Sequence, residues 1–243
     1  MSSSKIKDSK FQIILNQFNL ISEVAMTQLH ILHKLLEMTL DYKETKEEID
    51  NNEMIIDRIE LKMREEIAYT ILMFAPKAED LRRIISYQDI TTNLERVGDL
   101  VLNCIEDLDG IDLDRNDTRI YQPLLFHMMD DVIEMVQSAI HSFSVVDVNL
   151  AQKVILSDDN VDDQMRNTIH ILSENYANKV LSQQEISEML LIQSIVRDLE
   201  RCGDAATNIA ESTIYLVNGR SVRHPLAMAA EKEDEAKEHP NKN

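Results

Sequence analysis

The sequence repeats itself at an offset of 105 residues, and this constrains the fold more than any other feature. Residues 94–106 read LERVGDLVLNCIE and residues 199–211 read LERCGDAATNIAE. Leu, Glu, Arg, Gly, Asp, Asn and Glu coincide at 94/199, 95/200, 96/201, 98/203, 99/204, 103/208 and 106/211. The same shift lays Asp57 on Asp162 and Glu53 on Asp158. A chain with one such repeat is two copies of a single supersecondary unit.

The unit is helical. Hydrophobic residues make up 44% of the 243, yet only 4 Gly and 4 Pro interrupt them, which is the composition of an all-α chain. Apolar residues recur at three- and four-residue steps from Phe11 to Val217. A first helix runs from Phe11 to the polar DYKETK stretch. A second covers about 44–74 and stops before Pro76, because the residue preceding proline is pushed out of helical geometry. Pro76 is expected to open the third, which ends at Gly110. The turn-rich IDLDRND follows, and then helices at about 118–147, 148–180 and 182–218, closed by Gly219. The expectation is an all-α fold of six long helices, arranged as two tandem, pseudo-symmetric three-helix bundles over 11–112 and 113–218. A flexible N-terminus at 1–10 and a charged, disordered tail at 219–243 flank them.

Charge excludes some functions. A formal net charge of −19 repels phosphate backbones, so nucleic acid is not the expected partner. Cys104 and Cys202 have no zinc-ligand spacing and read as small buried apolar residues. No stretch has the composition of an export signal or a membrane span, so a reduced, cytoplasmic setting is expected.

The repeated motif keeps two features that disfavour a helix. Gly98 costs about 0.5–1 kcal/mol relative to alanine. Glu95 and Asp99, like charges at i,i+4, cost roughly 0.2–0.5 kcal/mol more. At about 100° per residue, Asp99 lies about 40° from Glu95, Asn103 about 80° and Glu106 about 20°. These residues form one stripe of oxygen donors, apart from the core-facing Leu94, Val97, Val101, Ile105 and Leu108. On the second helix Asp50, Glu53, Asp57 and Glu60 also share a face. Two such stripes on neighbouring helices repel each other unless a multivalent cation lies between them, and their oxygens suit a hard ion. Gly98 and Gly203 would leave room for that ion or for a close neighbouring helix. Asp158, Asp162, Glu200, Asp204 and Asn208 repeat the pattern in the second unit. There Ile155 and Met165 replace Asp50 and Glu60, so unequal sites are expected, the first richer in ligands. Arg96 and Arg201 read as interhelix ion pairs. His30 and His33 read as satisfied histidines.

NLERVGDLVLNCIE and DLERCGDAATNIAE resemble the paired E(D)-x-x-x-D motifs of the PhoU family, regulators of phosphate-specific transport. That resemblance covers about residues 11–218 and implies two three-helix bundles. It implies a non-enzymatic accessory protein that helps shut down the phosphate regulon. Such proteins bridge the phosphate ABC transporter and a sensor histidine kinase at the cytoplasmic membrane face, often as homodimers. It also implies multinuclear clusters of iron, zinc or manganese. By this resemblance Glu95, Asp99, Asn103, Glu200, Asp204 and Asn208 are ligand candidates, supported by Asp57 and Asp162. Glu53 and Asp158 complete the candidate set from the second helix of each unit. Two rivals stand beside this reading: a ferritin-like di-metal oxidase and a metal-free helical scaffold. The oxidase needs Glu-x-x-His on core-facing helices, which the predicted helices do not contain.

Overall fold

The computed structural model describes residues 3–220. The helices are α1 (Ser3–Leu36), α2 (Tyr42–Phe74), α3 (Glu79–Asp109), α4 (Gln122–Val145), α5 (Val148–Tyr176) and α6 (Gln183–Asn218). A single 3₁₀ turn at Arg119–Tyr121 leads into α4. None of these helices is long and apolar enough to cross a membrane.

Local chemistry sets the helix ends. Asp41 caps α2 by accepting from the Lys43 N–H at 2.8 Å, and Asp147 caps α5 by accepting from Asn149 and Leu150 at 2.9 and 3.1 Å. Ser182 and Glu185 form a reciprocal capping box at α6. Gly219 ends α6 in the left-handed region, at φ 68°.

Several boundaries differ from the sequence expectation. Helix α1 begins at Ser3 and not near Phe11, so residues 3–10 are part of it. Lys10 Nζ binds Glu66 of α2 at 2.7 Å and Lys7 binds Asp80 of α3, which ties this first stretch to its neighbours. Pro76 does not open α3, which starts three residues later at Glu79. Ala75 and Ala78 take positive φ of 42° and 49°, so the chain turns there before the helix resumes. Helix α5 stops at Tyr176, short of 180. The tail expected from 219 onward lies outside the described residues beyond Arg220.

The three helices of each unit pack together, and the units join side by side. The broadest interface lies between α3 and α6, the two motif helices, and α1 also touches α4. Helices α3 and α6 run antiparallel: Arg82 Nε donates to Leu216 O, Ser86 Oγ to Ser212 O, and Cys104 Sγ to Ile195 O. Both cysteines are fully buried. Phe18 of α1, Tyr87 of α3 and Phe143 of α4 form an edge-to-face trio with ring centroids 5.1–5.4 Å apart, binding the two units through one core. Helix α2 packs against α1 and the motif helix α3 of its own unit, and α5 against α4 and the motif helix α6. The tandem, pseudo-symmetric bundles expected from the repeat are present.

Candidate metal centre

Helix α2 approaches α3 where α3 lacks a side chain. A β-carbon on Gly98 would meet Ile56 and would stand 3.8 Å from Glu53 Oε2. The repeated glycine therefore serves helix approach, one of the two uses its position allowed. The approach brings Glu53 and Asp57 of α2 to Asp99 of α3. Each offers a carboxylate oxygen, and the three oxygens lie within 4.8 Å of one another. Among the described residues no other three acidic, histidine or cysteine side chains converge this closely.

The electrostatics follow from that geometry. Glu53 is half-buried, and its Oε2 atom is buried with no hydrogen-bond partner among the described residues. Its carboxyl is pushed up to about 7, first by burial, then by the adjoining Asp99 carboxyl and by the charges of Asp57 and Glu95. Burial, Asp99, Glu60 and Asp57 raise Glu95 as well, against a lowering by Arg64. Carboxylates this close cannot all remain charged unless a proton or a cation lies among them. The donor set is all oxygen, and one of its buried atoms, Glu53 Oε2, lacks a partner among the described residues. These residues fit a hard cation.

The second unit repeats the arrangement loosely. A β-carbon on Gly203 would stand 3.4 Å from Asp158 Oδ1 and 3.5 Å from Val161. Burial, then Asp204 and Asp162, push the Asp158 carboxyl up to about 6. Glu200 is raised by burial, Asp204, Asp162 and Asp158. Asp204 is raised by burial, against lowering by Arg96 and Arg201. Arg166, one turn beyond Asp162, binds it at 3.1 Å and Asp163 at 2.6 Å. Sequence reasoning passed over Arg166, although its i,i+4 spacing from Asp162 was the signal.

Not every candidate is drawn in. Asn103 is exposed and Asn208 half-buried, and neither belongs to the convergent trio. Asp50 pairs with Lys46 at 3.4 Å, and Glu60 is buried against Arg64, so neither joins the convergent trio. The interhelix pairing expected of Arg201 is instead within α6, to Asp198 at 2.8 Å, because three-residue spacing puts that acid within reach first. Arg96 acts across the interface on Asp204 through its charge. His33 Nε2 meets Asp130 Oδ1 at 2.9 Å and His30 Nδ1 meets the Met26 carbonyl at 2.6 Å, so both histidines have partners outside the candidate ligand set.

Comparison with known proteins agrees with this architecture. The PhoU domain matches twice, over residues 21–108 and 125–213, one copy in each unit. The chain is 31% identical over 232 residues to the phosphate-specific transport system accessory protein PhoU homolog of Pseudomonas aeruginosa, covering 90% of this chain and 92% of that one. It is 29% identical over 188 residues to PhoU homolog 1 of Methanothermobacter thermautotrophicus, covering 76% and 84%. The crystal structure of PhoU from Pseudomonas aeruginosa superposes with a TM-score of 0.77 at 26% identity, over 88% of this chain and 99% of that one. With its duplicated three-helix unit and doubled domain match, the chain belongs to the PhoU family.

Proposed function

We propose that this chain is a metal-binding regulator of phosphate uptake. It negatively regulates the phosphate regulon by contacting the phosphate ABC transporter and a sensor histidine kinase at the cytoplasmic face of the membrane. Its relatives carry the name of phosphate-specific transport accessory proteins, which supports a regulatory and non-enzymatic role. The observation that carries the metal-binding part is the convergence of Glu53, Asp57 and Asp99 between α2 and α3.

Glu53 and Asp57 from α2, with Asp99 and Glu95 from α3, would hold the ion in the first unit. Asp158, Asp162, Glu200 and Asp204 would hold it in the second. A bound ion of iron, zinc or manganese supplies the positive charge that turns their mutual repulsion into attraction. The residues then fix the angle between α2 and α3, and between α5 and α6, and so shape the outer faces offered to the transporter, the kinase or a second copy in a homodimer.

Co-purification from membranes of cells grown in high phosphate tests this reading. Transporter subunits and a histidine kinase should accompany the wild-type protein and be lost with Asp99→Asn/Asp204→Asn. Equal capture by that folded variant would contradict a metal-dependent contact.

A further inference from the structure

The two carboxylate clusters descend from one unit, so each position has an internal control in the other copy. The offset of 105 residues lays Arg166 on Leu61. Leu61 is 59% exposed on the outer face of α2, while Arg166 on α5 turns back onto Asp162 at 3.1 Å and onto Asp163 at 2.6 Å. Asp162 is the counterpart of Asp57, for which no ion pair is found among the described residues; the Arg64 guanidinium in the first unit is engaged with Glu60. Asp163 stands where the first unit has Arg58, so the second unit has both the arginine and an acid that fixes it.

We propose that Arg166 is a resident counter-cation of the second cluster. A divalent ion enters the first cluster directly, and enters the second only by displacing the guanidinium from Asp162. The inference rests on the cation-binding reading above and adds an order of filling to it. Two further observations point the same way. The second cluster's acids do not reach the close convergence of Glu53, Asp57 and Asp99. Arg96 and Arg201 also act on Asp204, adding positive charge to this cluster beside that of Arg166. Arg166 is exposed over 58% of its side chain, so its pairing is weak enough to yield to a doubly charged ion.

Manganese(II) titrated into the metal-free full chain, followed by calorimetry and native mass spectrometry, tests this. The wild-type protein should show a tighter and a weaker class of site. Asp99→Asn should remove the tighter class and Asp204→Asn the weaker. Arg166→Leu, which installs the first unit's residue, should tighten the weaker class roughly tenfold, the scale of removing one unit charge beside a divalent ion. The tighter class should not change. Arg166→Gln should act in the same direction while keeping a polar side chain, and the reciprocal Leu61→Arg should weaken the tighter class. Both positions are exposed, so these exchanges leave the core intact. A single class of equal sites, or no change of the weaker class in both Arg166 variants, overturns the proposal and leaves cation binding standing. Absence of manganese binding by the wild-type chain overturns both.

Discussion

Gly98 of α3 lies so close to Ile56 of α2 that a β-carbon added to the glycine would stand 2.8 Å from Ile56 Cδ1. Ile56 is fully buried, so moving its terminal methyl aside disturbs the side chains packed around it. Overpacking of this kind costs about 1–3 kcal/mol, against about 0.5–1 kcal/mol gained by replacing a helical glycine with alanine. Gly98→Ala is therefore expected to lower stability by about 1 kcal/mol. Gly203→Ala meets nothing nearer than Asp158 Oδ1 at 3.4 Å, and should be neutral or slightly stabilising. Chemical denaturation of the two single variants measures the contrast.

The raised carboxyls make the metal-free protein sensitive to pH in a defined direction. Glu53 at about 7 and Asp158 at about 6 hold a proton more tightly in the folded chain than in the unfolded one, where both titrate near the ordinary value of about 4. Their contribution is complete below that value and is lost as pH rises through the folded ones. The melting temperature of metal-free protein should fall between about pH 5 and pH 7.5 relative to Glu53→Gln/Asp158→Asn, whose slope should be flatter. Excess manganese should reverse the slope, since deprotonated ligands then bind the ion. Identical slopes for wild type and variant would show that these carboxyls do not titrate as described.

Arg115, in the loop between the units, reaches α6 and binds both oxygens of Glu188, with Nη1 to Oε1 at 3.1 Å. Glu188 is only 2% exposed, and its further partner is the Gln184 amide at 3.2 Å. Removing Arg115 leaves the buried Glu188 carboxylate without its main counter-charge and costs stability. Arg115→Met should show that loss by denaturation at neutral pH. Glu188→Gln in the same background should recover part of it, because the amide removes the uncompensated charge.

Much of this architecture was legible in the sequence because duplication and helical periodicity are both written in it. The offset of the motif located both units, and Gly98 and Gly203 marked where the second helix of each approaches. The ends of helices were harder to read. Pro76 resembles a helix start, yet Ala75 and Ala78 take positive φ there, which alanine's own preferences do not foretell. The site was legible only in part. Angular position placed Glu53, Asp57 and Asp99 on facing stripes, whereas Asn103, on the same stripe, lies a turn further along α3 and stays in solvent. A helical wheel records direction and not distance along the neighbouring helix. Arg166 was missed because attention to acids alone hides the cation that one of them has acquired.

Elemental analysis is the most direct check on whether the facing carboxylates hold cations. Tag-free protein is incubated with iron, manganese and zinc, desalted, and analysed by plasma mass spectrometry beside Asp99→Asn/Asp204→Asn. The wild-type chain should retain metal and the folded double variant should lose most of it. Equal metal in both proteins would contradict the assignment of these side chains as ligands.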